Sequence, residues 1–366
     1  MQTNKKAYIT VAQLFSMLFI SRLVVSITYS GDVANNTNIW DYIISSVISF
    51  VITFILTIPM YRLFSEERSM NVAENSYIML GRGGSIVISI IYALYYILIS
   101  TYTLTVFINF VSNVINPPIP AILLSFTLVL ASCYGASKGI EGLARASSLI
   151  LFGIVISGIF IVISLLGSLE KENYTPLLYN GLNSMWSGVM YMISHMSSIS
   201  AMAMLVDRSK GSLKRGIVMW NTSIYLMIAL IIILMVGSLG DFLQTQLFPL
   251  YTAVSVAKIG TLRNIDALYL GIWTMGIFVK ISMFIMITMD CTTEFVKSKS
   301  RGRYSLLIGG AVFILSVCFS KTEIYNIIFS NWCLLLLMLL TSVIIPSLLF
   351  YVRKFKVKGM KDKIEV

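Results

Sequence analysis

The stretch "MISHMSSISAM", residues 192–202, is unusually polar for its place inside an apolar run that covers about 183–206. Five polar side chains fall within seven residues: Ser194, His195, Ser197, Ser198 and Ser200. Hydroxyl groups can replace the hydrogen bonds that a membrane helix loses where it unwinds. Serines also occur in intact membrane helices, where they bond to the preceding turn. We predict that this helix is broken near its middle, and the break decides the fold.

The composition of the whole chain is that of a membrane protein. Of its 366 residues, 57% are hydrophobic and only 12% are charged, and the mean hydropathy is +0.86. Soluble domains carry about twice that charged fraction. Apolar runs of about 18 residues or more predict ten transmembrane helices. These spans cover roughly 8–29, 39–63, 84–112, 119–137, 143–167, 183–206, 216–239, 264–290, 304–320 and 324–351.

The distribution of lysine and arginine predicts the orientation. If the N-terminus is cytoplasmic, 21 of the 27 basic residues fall in cytoplasmic segments and four in outer loops. This asymmetry is the expected one, because short cytoplasmic loops are enriched in basic residues. It predicts that both termini are cytoplasmic. The net charge of +11 is spread over six membrane-proximal segments, so it does not indicate a nucleic-acid partner.

Ten spans divide naturally into two groups of five within a single transmembrane domain, 1–366. We predict a first five-helix repeat at 8–167, a second at 183–351, and a basic cytoplasmic tail at 352–366 that lies against membrane lipids. An odd number of spans in the first repeat inverts the second, which is typical of secondary transporters. The first helix of each repeat is where such folds break. An all-α membrane fold with broken first and sixth helices is therefore expected.

Two basic residues, Arg22 and Lys280, lie inside predicted spans. A cation at the bilayer centre costs on the order of 2.5–3.5 kcal/mol, so such residues indicate function. Lys280 lies in "IWTMGIFVKISMF", residues 272–284. Gly276 and Trp273 fall on the same helical face, where the glycine should leave a gap beside Lys280 and the tryptophan should form a wall of it. No carboxylate is evident at mid-membrane. The charge of these cations can be compensated in four ways: by a bound anionic group, by a water-filled path, by loss of the lysine proton, or by pairing with backbone carbonyls at a helix break.

The sequence contains no pattern that indicates an enzyme. His195 is the only histidine, and a lone histidine without cysteine or carboxylate neighbours is not a metal site. It is either a hydrogen-bonded packing residue or a proton relay. No phosphate-binding glycine loop, nucleophile elbow or pair of carboxylates is present. We therefore predict no catalytic residues, no cofactor and no metal.

The segment "FPLYTAVSVAKIGTLRNIDALYLGIWTMGIFVKIS", residues 248–282, resembles a known signature. It is similar to that of the B subunits of spore nutrient germinant receptors, an endospore germination permease family of the amino acid/polyamine/organocation transporter superfamily. The matching parts are "RNIDALYLGIW" and "FVKIS", and Lys280 falls on the family's lysine. The resemblance also covers chain length, span count and the basic loop after the sixth span.

This resemblance implies a LeuT-like fold in the inner membrane of a spore, working with an A subunit and a lipoprotein C subunit. In the family, the B subunit is held to recognise a nutrient, commonly an amino acid, and to signal germination. Residues 14–29 contain no glycine, unlike the glycine-rich break of related permeases. The alternative is an amino acid or amine permease, with proton coupling through Lys280 as one form. An ion or water conduit is a more distant third alternative.

We expect the ligand site in a pocket between the first, sixth and eighth spans. A ligand carboxylate would supply the counter-charge that Arg22 or Lys280 lacks. Six residues should then lie within about one ligand's width of one another. The predicted ligand-binding residues are Ser21, Arg22, His195, Ser197, Ser198 and Lys280.

Overall fold

The structure is a computed structural model, and it describes residues 8–27, 39–65, 70–115, 119–174, 181–257, 265–292, 300–322 and 324–362. Nearly all of these residues are helical. In the described residues, the helices are α1 Val11–Ile27, α2 Ile39–Ser65, α3 Val72–Phe110, α4 Ala121–Ser137, α5 Gly139–Leu166, α6 Gly181–Ser194, α7 Ser197–Leu205, α8 Leu213–Leu239, α9 Pro249–Val256, α10 Asp266–Thr292, α11 Arg301–Phe319, α12 Ile324–Ile328, α13 Asn331–Leu339 and α14 Ile345–Asp362. The two strands described, β1 Ile9–Thr10 and β2 Ser209–Lys210, pair in parallel.

The helices are those of an integral membrane protein. Eight helical segments of the described chain are long and apolar enough to cross a membrane. The other two predicted spans coincide with shorter apolar helices, Val11–Ser26 and Ala121–Ser137. The all-α membrane class is confirmed, while the count of ten spans and the five-plus-five repeat stay predictions.

The sixth span is broken, as its polar sequence predicts. Helix α6 ends at Ser194 and α7 begins at Ser197, so His195 and Met196 lie between two half-helices. The backbone of Met196 has a ψ of 45° and leaves the helical region there. Of the eight long apolar segments, this one is the most deeply buried: 94% of its most apolar 18 residues lie inside the protein.

The first helix differs from the prediction, because α1 is one continuous helix from Val11 to Ile27. Two of its serines bond to carbonyls of the preceding turn and leave the helix uninterrupted. The hydroxyl of Ser16 donates to the carbonyl of Ala12 at 2.9 Å, and that of Ser26 donates to the carbonyl of Arg22 at 3.2 Å. With neither glycine nor proline in this stretch, the helix has no weak point. The expected break in the first helix is therefore corrected.

Helix α10, which carries Lys280, lies at the centre of the bundle and packs against α1, α3, α4 and α5. Gly276 allows α10 to approach α1 closely. A Cβ atom at this position would lie 2.5 Å from Cγ2 of Val24 on α1. The gap predicted at Gly276 is thus filled by the neighbouring helix and leaves no room for a ligand.

The bundle end that carries the N-terminus is held by contacts between four spans. Strand β1, just before α1, pairs with β2, which follows the sixth span. Asp290, near the end of α10, forms ion pairs with Arg208 at 2.9 Å and with Arg301 of α11 at 3.6 Å. Spans one, six, eight and nine are therefore joined at this end, which we call the N-terminal end.

Candidate functional site

The helix break in the sixth span is stabilised by donors to its last carbonyl groups. The carbonyl of Tyr191 accepts from the hydroxyl of Ser194 and from Nδ1 of His195, both at 2.9 Å. The carbonyl of Met192 accepts from Nη2 of Arg22 at 3.1 Å. Because the end of a helix leaves such carbonyls without partners and carries a partial negative charge, these donors are what the break requires.

Arg22 is therefore bound to the break by its guanidinium group. Its side chain is 1% exposed, and Nη1 also donates to the hydroxyl of Ser26 at 3.4 Å. Its Nε has no hydrogen-bond partner among the described residues. The negative end of α6 takes the place of a carboxylate partner, which is not evident at mid-membrane in the sequence. Pairing with backbone carbonyls, one of the alternatives raised above, describes Arg22 well.

The hydrogen bonds of His195 determine its tautomer. Nδ1 lies 2.9 Å from the Tyr191 carbonyl, which can only accept, so Nδ1 carries the proton. In the neutral ring, Nε2 then accepts from the hydroxyl of Tyr102 at 3.2 Å. His195 is buried, and both of its nitrogens are occupied. It connects the helix break to Tyr102 on α3.

Tyr102 also lines a small cavity that contains Lys280. The remaining walls are formed by Val24 and Val25 of α1, Thr103 and Val106 of α3, and Trp273 of α10. Lys280 is 1% exposed, and its Nζ lies 5.9 Å from the ring centre of Phe284, one turn further along α10. Among the described residues, it has no hydrogen-bond acceptor and no carboxylate partner. The indole N–H of Trp273 likewise has no acceptor there.

This cavity has a volume of about 10 Å³, which is enough for about one water molecule. On one side, Trp273 packs against Phe110 with ring centres 4.5 Å apart, and Phe248 packs on Phe110 at 4.7 Å. On the other side, Phe284 packs against Tyr96 at 5.1 Å. Aromatic side chains therefore flank the cavity on two sides, and its small volume means that a larger molecule fits only if the helices separate.

All six predicted site residues are buried, but the structure divides them into two groups. Ser21 and Arg22 lie on the first span, and His195, Ser197 and Ser198 lie on the sixth. Two of them join these spans: Arg22 donates to the carbonyl of Met192, and the Ser198 hydroxyl donates to the carbonyl of Leu18 at 3.4 Å. Lys280 faces the cavity between the first, third and eighth spans. The sequence predicts a pocket between the first, sixth and eighth spans. In the structure, the third span takes the place of the sixth in lining the cavity. The two groups are linked by Tyr102, which lines the cavity and whose hydroxyl contacts Nε2 of His195 at 3.2 Å.

Three lining residues of α3 were not predicted: Tyr102, Thr103 and Val106. None is charged, and "ISTYTLTVF", residues 99–107, reads as an ordinary packed membrane helix. The run of hydroxyl-bearing residues was the one available signal. The hydroxyl of Thr103 donates to the carbonyl of Ile99 at 2.8 Å, so the methyl group, and not the hydroxyl, is available to line the cavity.

Apolar membrane helices and a span that is broken at mid-depth, with a buried lysine in a small cavity nearby, are typical of secondary-transporter folds. The same fold occurs in the solved structure of a Na⁺-coupled sialic acid symporter in its substrate-bound outward-open state. That structure matches with a TM-score of 0.63 and 13% identity, over 92% of this chain and 80% of the symporter chain. The fold is therefore LeuT-like. Residues 8–325 match the model of the family described as "Spore germination protein", and the chain belongs to this family.

Relatives of known name agree with the family assignment. Spore germination protein KB of Bacillus subtilis (strain 168) is 25% identical over 325 residues, which cover 86% of this chain and 85% of the relative. Spore germination protein XB of Bacillus anthracis is 24% identical over 262 residues, or 68% and 72% of the two chains. The chain is thus a permease-like spore germination protein of the membrane and not an enzyme.

Proposed function

We propose that this protein is the nutrient-sensing B subunit of a spore germinant receptor. The observation that carries the proposal is the buried side-chain nitrogen of Lys280, which faces a cavity and has no acceptor among the described residues. A small nutrient with a carboxylate, such as an amino acid, would supply the missing negative charge. The unpaired N–H of Trp273 would offer it a second donor.

In this proposal, binding changes the balance between two conformations. The cavity of about 10 Å³ excludes an amino acid while the bundle is closed, so the nutrient selects a state in which α3 and α10 have moved apart. A ligand shifts such an equilibrium only by its difference in affinity for the two states. Germinant receptor A and C subunits would read the shift. The protein would lie in the spore inner membrane with both termini cytoplasmic.

The test is nutrient-triggered germination of spores that carry Lys280→Met. We expect normal protein abundance on immunoblots and a lost or strongly weakened response, with partial recovery in Lys280→Arg. Lys138→Met, at a lysine between α4 and α5, is the matched control and should germinate normally. Normal germination of Lys280→Met would refute the role of Lys280 in sensing.

The alternative function is an amino acid or amine permease, and the likeness to the fold of a Na⁺-coupled symporter favours it. Signalling needs only differential affinity, whereas transport also needs the occupied protein to cycle through both open states. Uptake of labelled amino acids into proteoliposomes that contain only this chain separates the two. Sustained uptake that Lys280→Met abolishes would favour the permease, while nutrient binding without uptake would favour the receptor.

A further inference from the structure

Two irregular stretches of the bundle are joined by one face of α3. Tyr92 and Tyr96 lie one turn apart on this helix, and both are buried. The hydroxyl of Tyr96 donates to the hydroxyl of Ser200 at 3.0 Å, and Ser200 belongs to the half-helix α7. The hydroxyl of Tyr92 donates to the carbonyl of Thr341. Thr341 lies in the apolar segment Asn331–Phe355, which we call the last span.

The backbone of the last span explains why it takes up this hydroxyl. Between α13 and α14 it forms a π-helical turn over Leu340–Ile344, in which the N–H of Ile345 donates to the carbonyl of Leu340, five residues earlier. The next bond of this register would join residue 346 to Thr341, but residue 346 is Pro346, which has no N–H. The carbonyl of Thr341 is therefore left to a side-chain donor, and the tyrosine hydroxyl supplies it.

Both stretches are places where a membrane helix can bend. The break at His195 and Met196 separates α6 from α7, and kinks of long helices are found at π-helical turns and at prolines. The two stretches are also neighbours, because α7 packs against the π-helical turn of the last span. One turn of α3 thus binds the two bending points of the bundle through two hydroxyl groups.

We propose that Tyr92 and Tyr96 are a pair of positioning residues that makes the last span move with the half-helix α7. Both hydroxyls belong to the same helix, so a shift of either stretch relative to α3 breaks a buried hydrogen bond, which is unfavourable. Helix α14 continues from the π-helical turn to Asp362. A rearrangement at the break of the sixth span is therefore carried to the basic C-terminal segment.

The pair also borders the Lys280 cavity. The ring of Tyr96 lies 5.1 Å from that of Phe284, whose centre is 5.9 Å from Nζ of Lys280. The separation of α3 from α10 that the proposed function requires would displace Tyr96. In this respect the inference rests on the proposed function, whereas the link between α7 and the last span does not.

The test is hydrogen–deuterium exchange of the purified full chain, with mass spectrometry of a peptide that covers residues 340–345. In Tyr92→Phe, the turn loses its side-chain donor, and exchange in this peptide should accelerate about tenfold, equivalent to ~1.4 kcal/mol. The decisive variant is Ser200→Ala, which alters a different span. It should accelerate exchange in the same peptide about threefold, and it should have no further effect in a chain that already carries Tyr96→Phe.

Tyr134→Phe, the same substitution at an exposed tyrosine of α4, is the matched control and should leave the exchange unchanged. Peptides of α5 report global stability and should exchange as in the unaltered chain. Unchanged exchange in Tyr92→Phe or in Ser200→Ala would overturn the proposal. An effect of Ser200→Ala that persists beside Tyr96→Phe, or equal acceleration in α5, would do the same. No nutrient enters these measurements, so their failure is distinct from a failure of the proposed function.

Discussion

The two cations in the membrane core are in different chemical situations. Arg22 donates to the Met192 carbonyl at 3.1 Å and to Ser26 at 3.4 Å, and so completes the end of α6. Lys280 has no acceptor among the described residues and faces a cavity. A buried donor without an acceptor is unfavourable in the absence of a ligand, whereas a satisfied donor supports the fold. We therefore expect a structural role for Arg22 and a ligand-dependent role for Lys280.

Replacing Arg22 by methionine should lower stability. The change leaves a buried carbonyl of Met192 without its donor, which costs about 1–3 kcal/mol. The thermal midpoint of the purified protein in detergent should fall clearly below that of the unaltered chain. Arg82→Met, at an exposed arginine of α3, is the control and should not shift it. An unchanged midpoint with a lost nutrient response would instead place Arg22 in the ligand site.

Adding one methylene to the cavity wall should weaken nutrient sensing. Val106 lines the cavity, whose volume of about 10 Å³ cannot accept a further carbon atom without rearrangement. In Val106→Leu, the nutrient concentration for half-maximal germination should rise about tenfold or more, which is typical of one methylene in a fitted pocket. Val87→Leu, on the exposed face of the same helix, should leave it unchanged. Equal responses of the two variants would contradict a nutrient site here.

At the scale of the elements, the contact of α1 with α10 depends on one missing side chain. A Cβ at Gly276 would lie 2.5 Å from Val24, so Gly276→Ala must push the two helices apart. Overpacking of this kind costs typically about 1–3 kcal/mol. The thermal midpoint should therefore fall in Gly276→Ala.

Gly271 on the same helix is a matched control for Gly276. Nothing lies within 4 Å of a Cβ placed there, so Gly271→Ala should raise stability by up to ~1 kcal/mol through helix propensity. If both alanine variants shifted the midpoint equally in the same direction, the close approach of α1 and α10 would not be its cause.

The elements also show what sequence patterns can predict in this protein. Hydropathy predicted the membrane class, which is confirmed, while its count of ten spans stays a prediction. The serine cluster predicted a break in the sixth span, and the structure places it at His195 and Met196. The same reasoning failed for α1, where Ser16 and Ser26 bond to carbonyls of their own helix. The sequence does not show which carbonyl group a serine hydroxyl will bond to in the folded protein. The contribution of α3 to the cavity was missed because packing, and not charge, places it there.

In the whole molecule, the two ends of the bundle are held together by different kinds of contact. Aromatic packing of Trp273, Phe110 and Phe248 closes one side, and it depends little on salt or pH. At the N-terminal end, ion pairs of Asp290 with Arg208 and Arg301 join three spans. Arg208 and Asp290 are partly exposed, at 18% and 17%, so their attraction is screened by salt. We therefore expect a higher ionic strength to ease separation of the helices at the N-terminal end.

Cys291 provides a natural probe of opening at the N-terminal end. It is buried and directly follows Asp290. In Asp290→Asn, both ion pairs weaken, and alkylation of Cys291 by N-ethylmaleimide should accelerate by up to about fivefold, as expected for pairs worth ~1 kcal/mol or less. The rate is measured by mass spectrometry of the purified chain. Asp241→Asn, at an exposed acid near the opposite end, should not change it. No acceleration in Asp290→Asn would show that these pairs do not restrain the helices.

The pairing of Ile9 with Ser209 has a consequence for how the chain is made. The partner of β1 is synthesised 200 residues later, which takes about 10–40 s at a rate of ~5–20 residues per second. During that interval, the first span stands in the membrane without its partner strand and without the half-helices that Arg22 will join. Six predicted spans are therefore synthesised before β1 can pair with β2, and in a nascent chain arrested before residue 209 the segment of β1 should remain open to proteases.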